Sequence, residues 1–313
     1  MFKLSISTSL CVAFGTLIAS TPAQADEPLF GYVYTTDIAP AGKTELEQWS
    51  TFREGRSQGS YHLWQGRTEI THGLTDNLQI SGYINLAHAN VNGNAPDGTT
   101  SPPEVFADYA VDPDRRFKKF RFESISGEAI WRISSPYTKP IGLALYLEPS
   151  IGPRTYELES RLIAQKNFID DRLVFAANVT YAIELRHLPG EFGSLPGTPE
   201  AEQVWDHETD VNIGVAGSYR FMPKVAAGFE LLNEREWAGL NAFKSSKSTN
   251  VAYYLGPNIH YGGQHIFVTA SLLWQLKRAE DHDNPPPGFI VNGISNADDF
   301  EKVRLRIKVG YNF

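Results

Sequence analysis

Four basic side chains, Lys302, Arg304, Arg306 and Lys308, occupy every second position near the end of the chain. Successive side chains of a strand point to opposite faces, so all four fall on one face if this stretch is extended. A row of like charge lining a water-filled passage attracts and selects ions of the opposite sign. The same row set against acids would instead be closure chemistry, with Glu45 and Glu47 as neutralising partners. The residue types admit both readings, and the wider pattern of charge bears on them. Further charged residues alternate with apolar ones along extended stretches: Glu69, Glu128, Arg132, Glu148, Glu157, Glu159, Arg161, Glu184 and Glu230, with Tyr146 among them. An Arg or Lys turned toward lipid at mid-depth costs about 2–4 kcal/mol. If these stretches cross a membrane, their charges must therefore face inward.

Catalytic chemistry has thinner support. A hydrolytic site needs a nucleophile, a base and an orienting acid within hydrogen-bond reach. Among the eight histidines, His62 in "SYH" (Ser60–His62) and His72 come nearest to the required setting. The His-x-Ser that a resemblance to outer-membrane phospholipases would require is absent, and so is a G-x-S-x-G elbow. The acidic stretches "FADYAVDPD" (106–114) and "AEDHDN" (279–284) offer oxygen ligands for Ca²⁺ without the spacing of a calcium-binding loop. The sequence assigns no catalytic, cofactor-binding or metal-ligating residue.

The elements that must position these side chains are strands. Alternating segments are expected near 43–53, 60–72, 77–88, 118–134, 140–152, 154–166, 171–186, 207–219, 224–236, 249–260, 264–277 and 301–313. In "RLVFAANVTYAIEL", Leu173, Phe175, Ala177, Val179, Tyr181 and Ile183 share one face, opposite Asn178, Thr180 and Glu184. The first two strands allow either phase. Short turns alternate with long polar loops at 89–117, 187–206, 237–248 and 278–300, whereas 54–59 and the Gly152-Pro153 corner break that rule. Even strand number with short turns at one end and long loops at the other is the plan of an outer-membrane barrel. Aromatic residues agree: Tyr137, Phe168, Tyr219, Phe221, Tyr261, Tyr311 and Phe313 fall at the expected periplasmic ends, and Trp237 and Trp49 near the other rim.

The ends fix the compartment expected. "MFKLSISTSLCVAFGTLIASTPAQADEP" carries Lys3, an apolar stretch and an Ala23-Gln24-Ala25 cleavage site, the pattern of a secretory signal. The expected divisions are a signal peptide at 1–25, an N-terminal segment at 26–42 that is either a periplasmic tail or a partial plug, and a barrel at 43–313. Removing the signal also removes Cys11, the single cysteine, which excludes disulfides and thiol catalysis from the mature chain. It leaves 27 basic against 36 acidic side chains, which argues against nucleic acid as a partner.

At the other end, "VRLRIKVGYNF" places Val309, Tyr311 and Phe313 on the apolar face and stops on the aromatic ring. This resembles the terminal β-signal of bacterial outer-membrane proteins, and the resemblance implies recognition by the barrel-assembly machinery. The stretch from "GYVYTTDIAP" to "GLTDNLQISGYIN", with its hairpin at Gly73–Ser81, is similar to the front of a family of uncharacterised bacterial outer-membrane proteins. That second resemblance brings no activity with it.

The reading is an all-β chain, an antiparallel transmembrane β-barrel of about 12 strands after a cleaved signal peptide, in a Gram-negative outer membrane. Outer-membrane lipid and lipopolysaccharide are its expected surroundings, and nothing in the chain signals an oligomeric state. The expected function is a narrow porin-like channel for small polar solutes. The alternatives are a membrane-embedded hydrolase and a non-conducting structural or adhesive barrel. Small inward residues such as Gly142, Ala144, Ala176, Gly214, Ala216, Ala226 and Gly228 are expected to leave free space in the lumen.

Overall fold

The structure is a computed structural model that describes residues 28–240, 242, 248–280, 288–297 and 300–313. The expected leader, residues 1–25, and 281–284 of "AEDHDN" lie outside the described residues. Twelve strands form one closed antiparallel barrel: β1 (Thr44–Glu54), β2 (Ser60–Thr75), β3 (Leu78–Asn92), β4 (Phe117–Ser134), β5 (Gly142–Ile151) and β6 (Thr155–Phe168) make the first half. The second half is β7 (Leu173–Leu188), β8 (Val204–Met222), β9 (Val225–Ala238), β10 (Ser248–Gly262), β11 (Ile266–Gln275) and, after a small hairpin of β12 (Ile290–Val291) and β13 (Ile294–Ser295), β14 (Val303–Asn312). Each barrel strand lies where the period-two pattern predicts, within a few residues at either end.

Closure joins the last strand to the first, from Glu45 opposite Asn312 to Glu54 opposite Val303. No edge is then left to expose unpaired backbone groups, which hydrocarbon would not solvate. Among the described residues no helix is long and apolar enough to cross a membrane. Alternation is clearest in β5, where Leu143, Leu145 and Leu147 are exposed and Ala144, Tyr146 and Glu148 are buried. The outward set faces lipid and the inward set builds the core, the pleat deciding which is which. Val309, Tyr311 and Phe313 all lie on the outward face at the short-turn end.

The long-loop end is not an open mouth. Loop 93–116 carries one 3-10 turn, Glu104–Phe106, and folds inward so that Phe106 packs on Tyr61, Leu63, Ala87, Ala89 and Val91 of β2 and β3. Arg121 pairs with Asp108 of that loop, and Arg186 on β7 reaches across to Glu104 while also meeting Glu208. The stretch before β14 folds inward as well, burying Ala297 and Phe300 beside Tyr254.

Candidate functional site

The lumen is the candidate site, and its largest occupant is the chain's own N-terminal segment. Residues 28–43 enter at the short-turn end, rise to mid-lumen and descend again into β1. Inward side chains of the barrel hold the backbone of this segment. The Glu230 carboxylate on β9 accepts three consecutive N–H groups, from Gly31 (2.8 Å), Tyr32 (2.8 Å) and Val33 (3.0 Å), and the Ser271 hydroxyl at 2.5 Å. Four donors match the lone-pair capacity of one ionised carboxylate. Asn178 brackets Tyr34, accepting from its N–H at 2.6 Å and donating to its carbonyl at 2.9 Å. Gln165 accepts from the Thr36 N–H at 2.7 Å, and Gln79 from the Ala39 N–H at 2.8 Å. An irregular segment surrounded by barrel could not otherwise satisfy these donors.

Small residues on the wall make room for it. A side-chain carbon on Gly214 would sit 3.0 Å from Val33 Cγ2, and one on Gly142 would sit 2.5 Å from Thr36 Oγ1. Part of the free space expected from these glycines is therefore filled by the segment. Phe30 and Val33 bury themselves against Val174, Ala176, Ala216, Leu232 and Leu273, and Ile38 against Ile130, Ala144 and Ile163. Asp37 is partly buried at the lower end, and loss of solvent around its carboxyl raises it above the usual range despite hydrogen bonds from Gln165 and Tyr137.

Above the segment lies a polar chamber of about 300 Å³. Its charges are mostly paired. Arg304 makes a bidentate pair with Glu234 at 2.6 and 2.9 Å and also meets Glu301. Arg67 pairs with Glu148 at 3.3 Å, and Arg161 with Glu159 at 2.7 Å. Trp49 stands among three cations, with Lys308 Nζ 3.7 Å and the Arg67 and Arg306 guanidinium carbons 5.0 and 5.3 Å from its ring. Its indole N–H donates to Glu47 at 2.6 Å. A smaller space of about 50 Å³ beside the segment is lined by Glu45, Glu47, Glu69, Glu128 and Lys308.

Residues 22–313 match the family described as "Family of unknown function (DUF6662)". The chain belongs to this family. None of the curated proteins is similar to it. Among solved structures, this DUF6662 chain is similar to the COG4313 outer membrane channel from Pseudomonas putida F1, at 10% identity and a TM-score of 0.53, over 88% of this chain and 96% of that one. It is also similar to the translocator domain of the autotransporter NalP from Neisseria meningitidis, at 10% identity and a TM-score of 0.50, over 87% and 88% of the two chains. The NanC porin aligns at 10% identity with a TM-score of 0.48, over 86% of this chain and 100% of its own. At such identities the likeness is one of fold: that of a bacterial outer-membrane barrel, whose short turns are the periplasmic end.

Of the residues singled out in the sequence, Glu148, Glu157, Glu159, Arg161, Arg304 and Arg306 line the chamber. Glu69, Glu128 and Lys308 surround the smaller space, and Glu230 holds the segment. Glu184 is 3.6 Å from Arg186, and Arg132 reaches the Asp76 carbonyl at the periplasmic rim. Lys302 departs from expectation. It precedes β14 and is exposed at the outer rim, its aliphatic chain lying over Gly55, so the inward ladder has three rungs rather than four. Along that ladder Arg304 takes Glu234 from β9 and Glu301 from its own approach to β14, while Lys308 lies with Glu45 and Glu47 around the smaller space.

Trp49, expected at the outer rim, is buried inside. Trp237 is buried at the outer end of β9, on the same face as the exposed Phe229 and Leu231, and exposed Phe120, Tyr156, Trp205 and Trp274 occupy that rim as well. His62 meets Glu54 rather than Ser60, and His72 meets Thr44 at 2.9 Å. Five inward charges escaped the sequence reading: Arg53, Arg67, Glu123 and Glu234 in the chamber and Arg186 at its outer mouth. Arg186 and Glu234 share a face with Glu184 and Glu230, so their signal was present. Glu123 had none, because a bulge opposite Asn85 and Leu86 inserts it into β4 and turns it inward against the alternation.

Proposed function

We propose that this barrel is a narrow porin-like passage for small polar solutes, shut at its periplasmic half by segment 28–43. One observation carries the reading: Glu230, Asn178, Gln165 and Gln79, all inward residues of the wall, each hydrogen-bond the backbone of that segment. A cradle of this kind fixes position while leaving the barrel's own strand pairing independent of it. The polar chamber above supplies the path, and the description of the Pseudomonas putida structure as an outer membrane channel supports the same class.

A covalent lock tests it. Val33→Cys with Gly214→Cys, in a chain starting at Asp26, places the two side chains at a spacing a disulfide can close, since Val33 Cγ2 lies 3.0 Å from the Gly214 Cβ position. In planar bilayers the oxidised protein should be silent, and reductant should restore conductance steps. Silence under both conditions, together with silence of Glu230→Ala, would favour the non-conducting barrel. The Arg186 pairs with Glu104 and Glu208 across the outer mouth are the observation on that side.

A further inference from the structure

We propose that the central chamber contains a subsite for the carboxylate of a small, singly charged organic anion, between the Arg306 guanidinium of β14 and the Tyr32 hydroxyl of the lumen segment. The inference rests on the passage proposed above and names the solute class that passage takes.

Arg306 differs from the other arginines of the chamber. Arg67, Arg161 and Arg304 each face a glutamate at ion-pair distance, and Arg53 lies 3.7 Å from Glu301. Arg306 makes no ion pair among the described residues. Its Nε–H donates to Thr51 Oγ1 at 2.9 Å and its Nη1 to the Gly31 carbonyl at 3.2 Å, both neutral acceptors. A guanidinium has five N–H donors, so the Nη2 side of the fork is left for a further acceptor. The Tyr32 ring lies 4.0 Å from the same guanidinium carbon, and its hydroxyl is enclosed without a hydrogen-bond partner. Arg306 and the ring it stacks on thus each carry an unused donor, one of them cationic, and a negatively charged acceptor would satisfy both.

The chemistry of that acceptor follows from the surroundings. A planar fork matches a planar carboxylate in two parallel hydrogen bonds. On the far wall, Glu157 of β6 also lines the chamber and makes no ion pair among the described residues. Strands β14 and β6 stand six places apart in the twelve-strand ring, on opposite sides of the lumen. The chamber is thus polarised across its width, and a second negative group on the solute would be turned back by Glu157. Between the two walls the lining is hydroxyl and amide, from Ser124, Ser126, Thr180 and Asn212, which suits a neutral hydroxylated body.

Isothermal titration of the full mature barrel, refolded in detergent, tests this with sodium gluconate as probe and sorbitol and inorganic phosphate as comparisons. Gluconate should bind saturably with one site and sorbitol should not. Arg306→Gln should weaken gluconate at least tenfold, Tyr32→Phe several-fold, and the exposed Lys302→Gln not at all. If Arg306→Gln does not fold, Tyr32→Phe carries the test, since its hydroxyl makes no hydrogen bond that folding would lose. Absence of gluconate binding to the wild-type barrel, or binding that survives both substitutions, overturns the subsite. Phosphate binding as tight as gluconate overturns its carboxylate selectivity. Should gluconate bind while the reduced Val33→Cys/Gly214→Cys protein stays silent, the passage reading falls and the subsite stands. If the protein conducts but ignores gluconate, the subsite falls and the passage stands.

Discussion

Glu230 shows what one inward residue can do in a lumen. It is fully buried, and its four accepted hydrogen bonds tie β11 and three residues of the N-terminal segment to β9. A hydrogen bond to a charged group contributes about 1.5–3 kcal/mol, and losing the acceptor orphans the donors as well. Glu230→Ala therefore leaves three adjacent N–H groups facing an apolar wall, with no rearrangement of the strand to recover them. The expected outcome is a barrel that still folds, with a segment cleaved by added protease far faster than in the wild type and with more frequent channel openings. Glu230→Gln should fall between, because its amide keeps one acceptor oxygen and sets a donor against the backbone N–H groups. Unchanged protease resistance in the alanine variant would show that the apolar contacts of Phe30 and Val33 hold the segment unaided.

At the scale of elements, the segment carries its own pH response. Burial raises the Asp37 carboxyl above its usual range, against the pull of Gln165, Tyr137, Arg132 and Thr35 around it. A carboxyl whose docked pKa lies above its free value of about 4 favours docking below that value, and the advantage is lost as pH rises through the docked value. The segment should then hold tightest in acid and loosen upward from the carboxylate range. Bilayer recordings across that window should show open probability rising with pH, and Asp37→Asn should flatten the profile at the closed level. A wild-type profile already flat would remove Asp37 from the mechanism.

The strands themselves were legible in the sequence because a lipid-facing side and a wet side force strict alternation. The residues of β5 and β14 show it plainly. Alternation fails where a bulge inserts Glu123. It is also mute on why Trp49 lies inside, which depends on cations from β2 and β14 converging on its ring. Segment 28–43 has no period to read, since its structure is imposed by the side chains of five different strands.

The whole molecule explains why such a segment is there. Eight-stranded barrels fill their interior with side chains, and those of sixteen or more strands leave an open channel. Twelve strands enclose more space than the inward residues of β5, β7 and β8 can fill, because Gly142, Ala144, Ala176, Gly214 and Ala216 are small. Without the segment, the apolar patch made by Val174, Leu232 and Leu273 would face a water-filled lumen. Larger wall residues would also fill the gap, but permanently. A segment joined to β1 at one end fills it in a form that can leave. A chain beginning at Lys43 should accordingly refold, since strand pairing from β1 to β14 involves no residue before Thr44. Its conductance should exceed that of the longer chain several-fold, and its urea midpoint should be lower because the exposed patch loses its cover. A shortened chain that fails to close into a heat-modifiable barrel would instead make the segment a folding core around which the strands assemble.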